Sequence, residues 1–211
     1  MVGKPGKFDN LQKGAGSYTL CASCNSLTGT WYGPAYIEMA SQGIEYFRIE
    51  ETSGAIALPY KIFPLRVMKQ IVSMFASKSG PNLFENTPYL RKFVFDRDCK
   101  GLPKDMAVSL YMLDRSAHKS TGIAATMNIF TGERFIGNEM AHPPFGLVLS
   151  LDTEFNYNRE LCTFQDISFF SEYGYDEYTR LFLKIPRKPG NPMMLDYREG
   201  LPMPGDFLKS L

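Results

Sequence analysis

The run PLRVMKQIVSMFASKSG, opening at Pro64, places Leu65, Met68, Ile71, Val72 and Phe75 at three- and four-residue spacing. Arg66, Lys69, Gln70 and Ser73 share the other side, so the pattern predicts an amphipathic helix with one face turned to a core. Pro64 suits its first turn and Gly80-Pro81 its end. A second helix is predicted from Thr87-Pro88 through YLRKFVFDRD, with Leu90, Phe93 and Val94 on its inner face. Past Lys100-Gly101-Leu102-Pro103 the period changes. AVSLYML, TGIAATMNIF, ERFIGNEMA and FGLVLSLD read as strands, with Thr131-Gly132-Glu133 as one of the hairpin signals. Helices come first and strands after. That order predicts an α+β domain, short N-terminal helices packed on an antiparallel β meander.

Upstream, Gly33-Pro34 opens a short predicted helix, PAYIEMASQG, which Gly43 stops. IEYFRIEE and GAIALPYKI then read as two strands around the turn ETSG. Downstream, the polar loop TEFNYNRE precedes DISFF and the strand-like TRLFLKI. The organisation expected is an irregular arm over 1–33, an α+β domain over 34–185 and an extended, proline-rich tail over 186–211. At 211 residues, 44% hydrophobic and 21% charged, one sizeable core is expected. The net charge of +1 means that binding to nucleic acid would have to use a local patch. The longest apolar-leaning run, VMKQIVSMFA, is short and carries Lys and Gln, so no membrane span is expected. The opening MVGKPGKFDN has no apolar stretch for export, and four cysteines are too few for a disulfide scaffold. A cytoplasmic protein with reduced thiols is expected.

The stretch LCASCNSLTGTWYG holds Cys21 and Cys24 at the spacing that lets two thiolates bind one tetrahedral zinc. The remaining candidates for the other half of a structural site, Cys99, Cys162, His118 and His142, are scattered singly. The surroundings lack the βαβ pattern of a thioredoxin-type redox motif. LCASCNSLTG resembles the cysteine segment of zinc-stapled HNH endonucleases, where Leu, Cys-x-x-Cys and a His or Asn lead into the helix of a ββα-metal finger. The resemblance implies that Asn25 takes the role of the last residue, the one that contacts a catalytic metal, and that Asn10 of FDNLQ is the Asn that orients the hairpin. TGTWYGPAYIEMA and FPLRVMKQIVSMF are similar to stretches of bacterial HNH-associated proteins with a large α+β region. It departs from the family's pattern because no His or Cys precedes Cys21, so the base that would activate water and half of the zinc staple are missing. The expectation is therefore an HNH-related, nucleic-acid-linked protein with an incomplete finger that does not cleave on its own. Three origins stay open for the half-site: a piece of a longer nuclease-like protein, a degenerate descendant, or a homodimer in which Cys21 and Cys24 of two chains share one structural zinc. Two ordinary small residues in a turn would give the same pattern.

Other candidates are weaker. His142 sits beside two prolines in AHPPFG, with no paired acid or nucleophile spaced to serve it, and His118 lies in a polar loop. Asp152 and Glu154 end a strand-like run, where acids can hold a divalent cation. Basic residues gather as Lys4, Lys7 and Lys13, as Arg91 and Lys92, and as Lys184, Arg187 and Lys188. In RLFLKIPRK aromatic and cationic residues interleave, as stacking beside phosphate contacts requires. The alternative function is a non-catalytic module that binds a protein or small ligand, or that oligomerises.

Overall fold

In the computed structural model, residues 20–47, 57–79, 82–113, 119–120, 123–127, 134–151 and 164–188 are described. Helix α1 spans Ala22–Phe47 without interruption and carries Pro34 inside it. The irregular arm expected up to Gly33 has become helix from Ala22 onward, and Ile44–Phe47, expected to begin a strand, is its last turn. The physical reason is tertiary. Thr28, Tyr32, Ala35, Met39 and Gly43 form a buried stripe at spacings of four, three, four and four residues. Burying that stripe outweighs the weak helix propensity of its glycines and proline. Gly43 is no stop signal but a point of close approach, because a Cβ there would lie 2.5 Å from the Phe145 ring. Pro34 is exposed, on the solvent side of the helix.

Strand β1 (Leu58–Ile62) leads into α2 (Pro64–Ser79), then α3 (Asn82–Asn86) and α4 (Pro88–Phe95). The inner face predicted for α4 is observed, with Leu90, Phe93 and Val94 all buried. Helix α2 has the predicted apolar residues buried, but Lys69 and Ser73 are buried too. Helix α1 and the end of α4 cover the side the sequence assigned to solvent; the hydroxyl of Tyr32, from α1, reaches across to the Val94 carbonyl at 2.6 Å.

The strands that follow are β2 (Ala107–Leu113), β3 (Lys119–Ser120), β4 (Ala124–Met127), β5 (Arg134–His142), β6 (Phe145–Ser150), β7 (Gln165–Asp166), β8 (Thr179–Leu183) and β9 (Arg187–Lys188). A 3-10 turn over Ser168–Glu172 separates β7 from β8. Strands β3, β5, β6, β2 and β7 lie side by side in that order, β4 pairs with β5, and β9 runs parallel to β2 at the start of the expected tail. The other pairings are antiparallel. The α+β class holds, although β2 joins β6 rather than its chain neighbour β3, so the sheet is not a simple meander. The Thr131-Gly132-Glu133 turn lies outside the described residues; β4 and β5 pair on either side of it, with Met127 opposite Arg134.

Alternation along β2 and β6 divides two faces. Val108, Leu110, Leu147 and Leu149 join the helices in the main core, while Tyr111, Leu113 and Val148 form a small cluster on the opposite side with Ala141. Strand β1 was expected to pair with the segment just before it; its partner is β8, far along the chain, from Leu58↔Leu183 to Ile62↔Thr179. Among the described residues no helix is long and apolar enough to cross a membrane.

Candidate functional site

Cys21 is the last residue before α1 and stands where a helix N-cap stands. Its carbonyl accepts the Asn25 N–H at 2.9 Å, the first bond of the helix, and its Sγ accepts the Cys24 N–H at 3.3 Å. The motif therefore occupies the first helical turn. Both thiols are free, with Cys21 exposed and Cys24 half-buried. The hydrogen bond between the two thiols, followed by that with Ser23, lowers Cys21 to about 7, and the same bond raises Cys24. The outer thiol thus becomes the readier thiolate, the form that binds a metal. The donor set suits half of a tetrahedral zinc site. Among the described residues no third Cys, His, Asp or Glu joins the pair. Cys99 sits just beyond the end of α4, with its Sγ 3.8 Å from the Tyr89 hydroxyl. Asn10, His118, Cys162, Asp152 and Glu154 lie outside the described residues, as do Lys4, Lys7 and Lys13.

Two residues that the sequence treats separately come together. Asn25, from the first turn of α1, and His142, from the end of β5, line one cavity of about 170 Å³ whose remaining wall is mostly α2. Nothing in the spacing of the chain joins them; only the packing of β5 against α2 does.

A second feature lies on the two-stranded ribbon of β1 and β8. Lys61 stands directly opposite Arg180, and Pro59 opposite Phe182. With period two, these four residues share one face, and Lys184 continues it past the end of β8. Lys61, Arg180, Phe182 and Lys184 are all exposed, Phe182 at 65%, while Tyr60, Ile62 and Leu183 on the other face are buried. The Arg180 guanidinium lies 5.5 Å from the centroid of the Phe182 ring. Two like charges directly across a ladder repel each other, and β1 and β8 contain no acidic residue to offset them. The alternation in RLFLKI was legible in the sequence; Lys61 could be added only once β1 was known to pair with β8. Arg187 does not belong to this face, since its guanidinium donates to the Tyr46 carbonyl near the end of α1 at 3.3 Å. No protein-family model, curated protein or solved structure matches the chain.

Proposed function

We propose that this chain is an HNH-related protein that binds single-stranded nucleic acid and does not cleave it unaided, using the outer face of the β1–β8 ribbon. The observation that carries the reading is the cluster of Lys61, Arg180 and Lys184 around the exposed ring of Phe182. A phosphate backbone relieves the repulsion between Lys61 and Arg180, and a base stacks on Phe182. The start of α1 is in keeping with the HNH reading, because the Cys-x-x-Cys-Asn segment forms the first turn of a helix. A cytoplasmic location goes with this reading, since thiols stay reduced there.

Fluorescence anisotropy with a labelled single-stranded 20-mer tests the proposal. Three phosphate-pairing cations contribute about −2 to the slope of log affinity against log salt, and Arg180→Ala should make that slope shallower by roughly 0.7. Phe182→Ala should weaken binding by about 1–3 kcal/mol, and the 20-mer should be recovered intact after incubation with magnesium or manganese. Binding that ignores both substitutions would sink the reading, as would strand cleavage lost on Asn25→Ala.

The thiol pair is assigned a structural part in the same reading: Cys21 and Cys24 of two chains hold one zinc between them. Purified protein should then carry half an equivalent of zinc per chain and have the solution mass of a dimer. Cys21→Ser should abolish both properties. A zinc-free monomer refutes the shared site.

A further inference from the structure

The cavity behind α1 has a chemistry of its own, and the inference drawn from it does not depend on the nucleic-acid reading. Lys78 and Gln70 both line it, eight residues apart on α2, so their backbones are separated by about 12 Å along the helix axis. Lys78 lines one end from the last turn of α2, and a lysine ammonium has three donors, enough to take a ligand anion alongside an existing contact. The other end is rich in acceptors. Gln70 Oε1 is buried and has no hydrogen-bond partner among the described residues. The Thr28 hydroxyl spends its hydrogen on the Cys24 and Asn25 carbonyls at 3.1 and 3.2 Å, and the Ser73 hydroxyl spends its own on the Lys69 carbonyl at 2.7 Å. Each therefore turns lone pairs, not hydrogen, toward the space beside it. A buried acceptor left unpaired is a standing cost to the fold, which a ligand donor would recover. Met74 and Met140 give the wall between the ends an apolar, adaptable surface, and among the described residues no carboxylate lines the cavity.

We propose that this cavity binds a small organic molecule with an anionic group at one end and an N–H donor at the other, the anionic group on Lys78, the donor on Gln70 Oε1 and an apolar spacer between the methionines. A linear ω-amino carboxylate is the simplest member of the class. Calorimetric titration of the full chain with 6-aminohexanoate tests this against hexanoate, which lacks the donor, and hexylamine, which lacks the anion. The two-ended probe should bind at least tenfold more tightly than either. Lys78→Ala should remove its advantage over hexylamine, and Gln70→Leu its advantage over hexanoate. Gln70→Glu supplies the control for folding: it keeps the acceptor, adds charge and should tighten 6-aminohexanoate severalfold, a gain that a damaged fold cannot produce. Equal binding of all three compounds, no binding of any, or a Gln70→Glu variant that binds less tightly would overturn the proposal.

Discussion

Replacing Lys69 with alanine should lower the stability of the folded chain by about 4–5 kcal/mol, a large part of the 5–15 kcal/mol that holds a typical domain together. Lys69 is 0% exposed. Its ammonium donates to the carbonyls of Asp96 and Cys99 at 2.8 Å each, and to that of Phe93. It also lies 4.1 Å from the centroid of the Phe93 ring. These acceptors belong to the C-terminal turn of α4 and the residues after it, where helix carbonyls have no partner within the helix and the macrodipole favours a cation. One side chain from α2 thus caps α4. Burial pulls Lys69 down to about 8, against the opposing influence of Cys99, Asp96 and Asp98, so at neutral pH it still holds the proton that gives it three donors. Truncation strips the donor from the buried Phe93 carbonyl and from the half-buried carbonyls of Cys99 and Asp96, of which Asp96 keeps the Cys99 N–H at 3.3 Å, and it opens a cavity where the stem lay; a buried acceptor left unpaired costs about 1–3 kcal/mol. Lys69→Met separates the contributions, because it keeps the stem that fills the space and discards only the donors. Urea unfolding should show Met recovering about 1–2 kcal/mol of the alanine loss and no more. A methionine variant as stable as the parent would show that the three hydrogen bonds contribute nothing net.

Gly146→Ala should come next in severity, with a loss of about 3 kcal/mol, at the upper end of what overpacking costs. Gly146 faces Tyr111 across the β2–β6 ladder, and a Cβ at Gly146 would fall 1.9 Å from the Tyr111 ring. The ring cannot swing aside cheaply. Its hydroxyl donates to Glu139 Oε1 at 2.5 Å, and Phe164 packs 5.6 Å from it, centroid to centroid. Burial, reinforced by the Glu139 carboxylate, pushes the Tyr111 phenol far above its ordinary value, so it remains a donor throughout the working pH range. A double-mutant cycle measures the clash directly. Gly146→Ala should cost much less in a Tyr111→Ala background than alone, as thermal unfolding of the four proteins would reveal. Additive losses would mean that the glycine is needed for some other reason.

These two positions also mark where reading along the chain succeeds and where it fails. The core face of α4 follows from spacing alone, and the strand character of AVSLYML, ERFIGNEMA and FGLVLSLD from their β-like composition, because both are properties of neighbouring residues. Spacing places Lys69 on the solvent side of α2, since periodicity reports the polarity of a residue and says nothing of a second helix lying over it. Local propensity is weak at Gly33-Pro34 and predicts a helix start there, whereas the stripe from Thr28 to Gly43 that sustains α1 has meaning only with α2 in place. The candidate sites divide in the same way. Cys21, Cys24 and Asn25 are contiguous and could be read directly. His142 looked isolated until β5 brought it to the cavity that Asn25 lines.

By itself, the sequence determined the order of helices before strands, hence the α+β class, together with the thiol pair and the alternating Arg180, Phe182 and Lys184. Those properties reside in neighbouring residues, and periods of 3.6 and 2 report them. Only the tertiary structure decided that Lys61 stands opposite Arg180, that Gly146 lies under Tyr111, and that Lys69 ends α4. Each depends on two elements distant in the chain burying a common surface, and burial belongs to the pair.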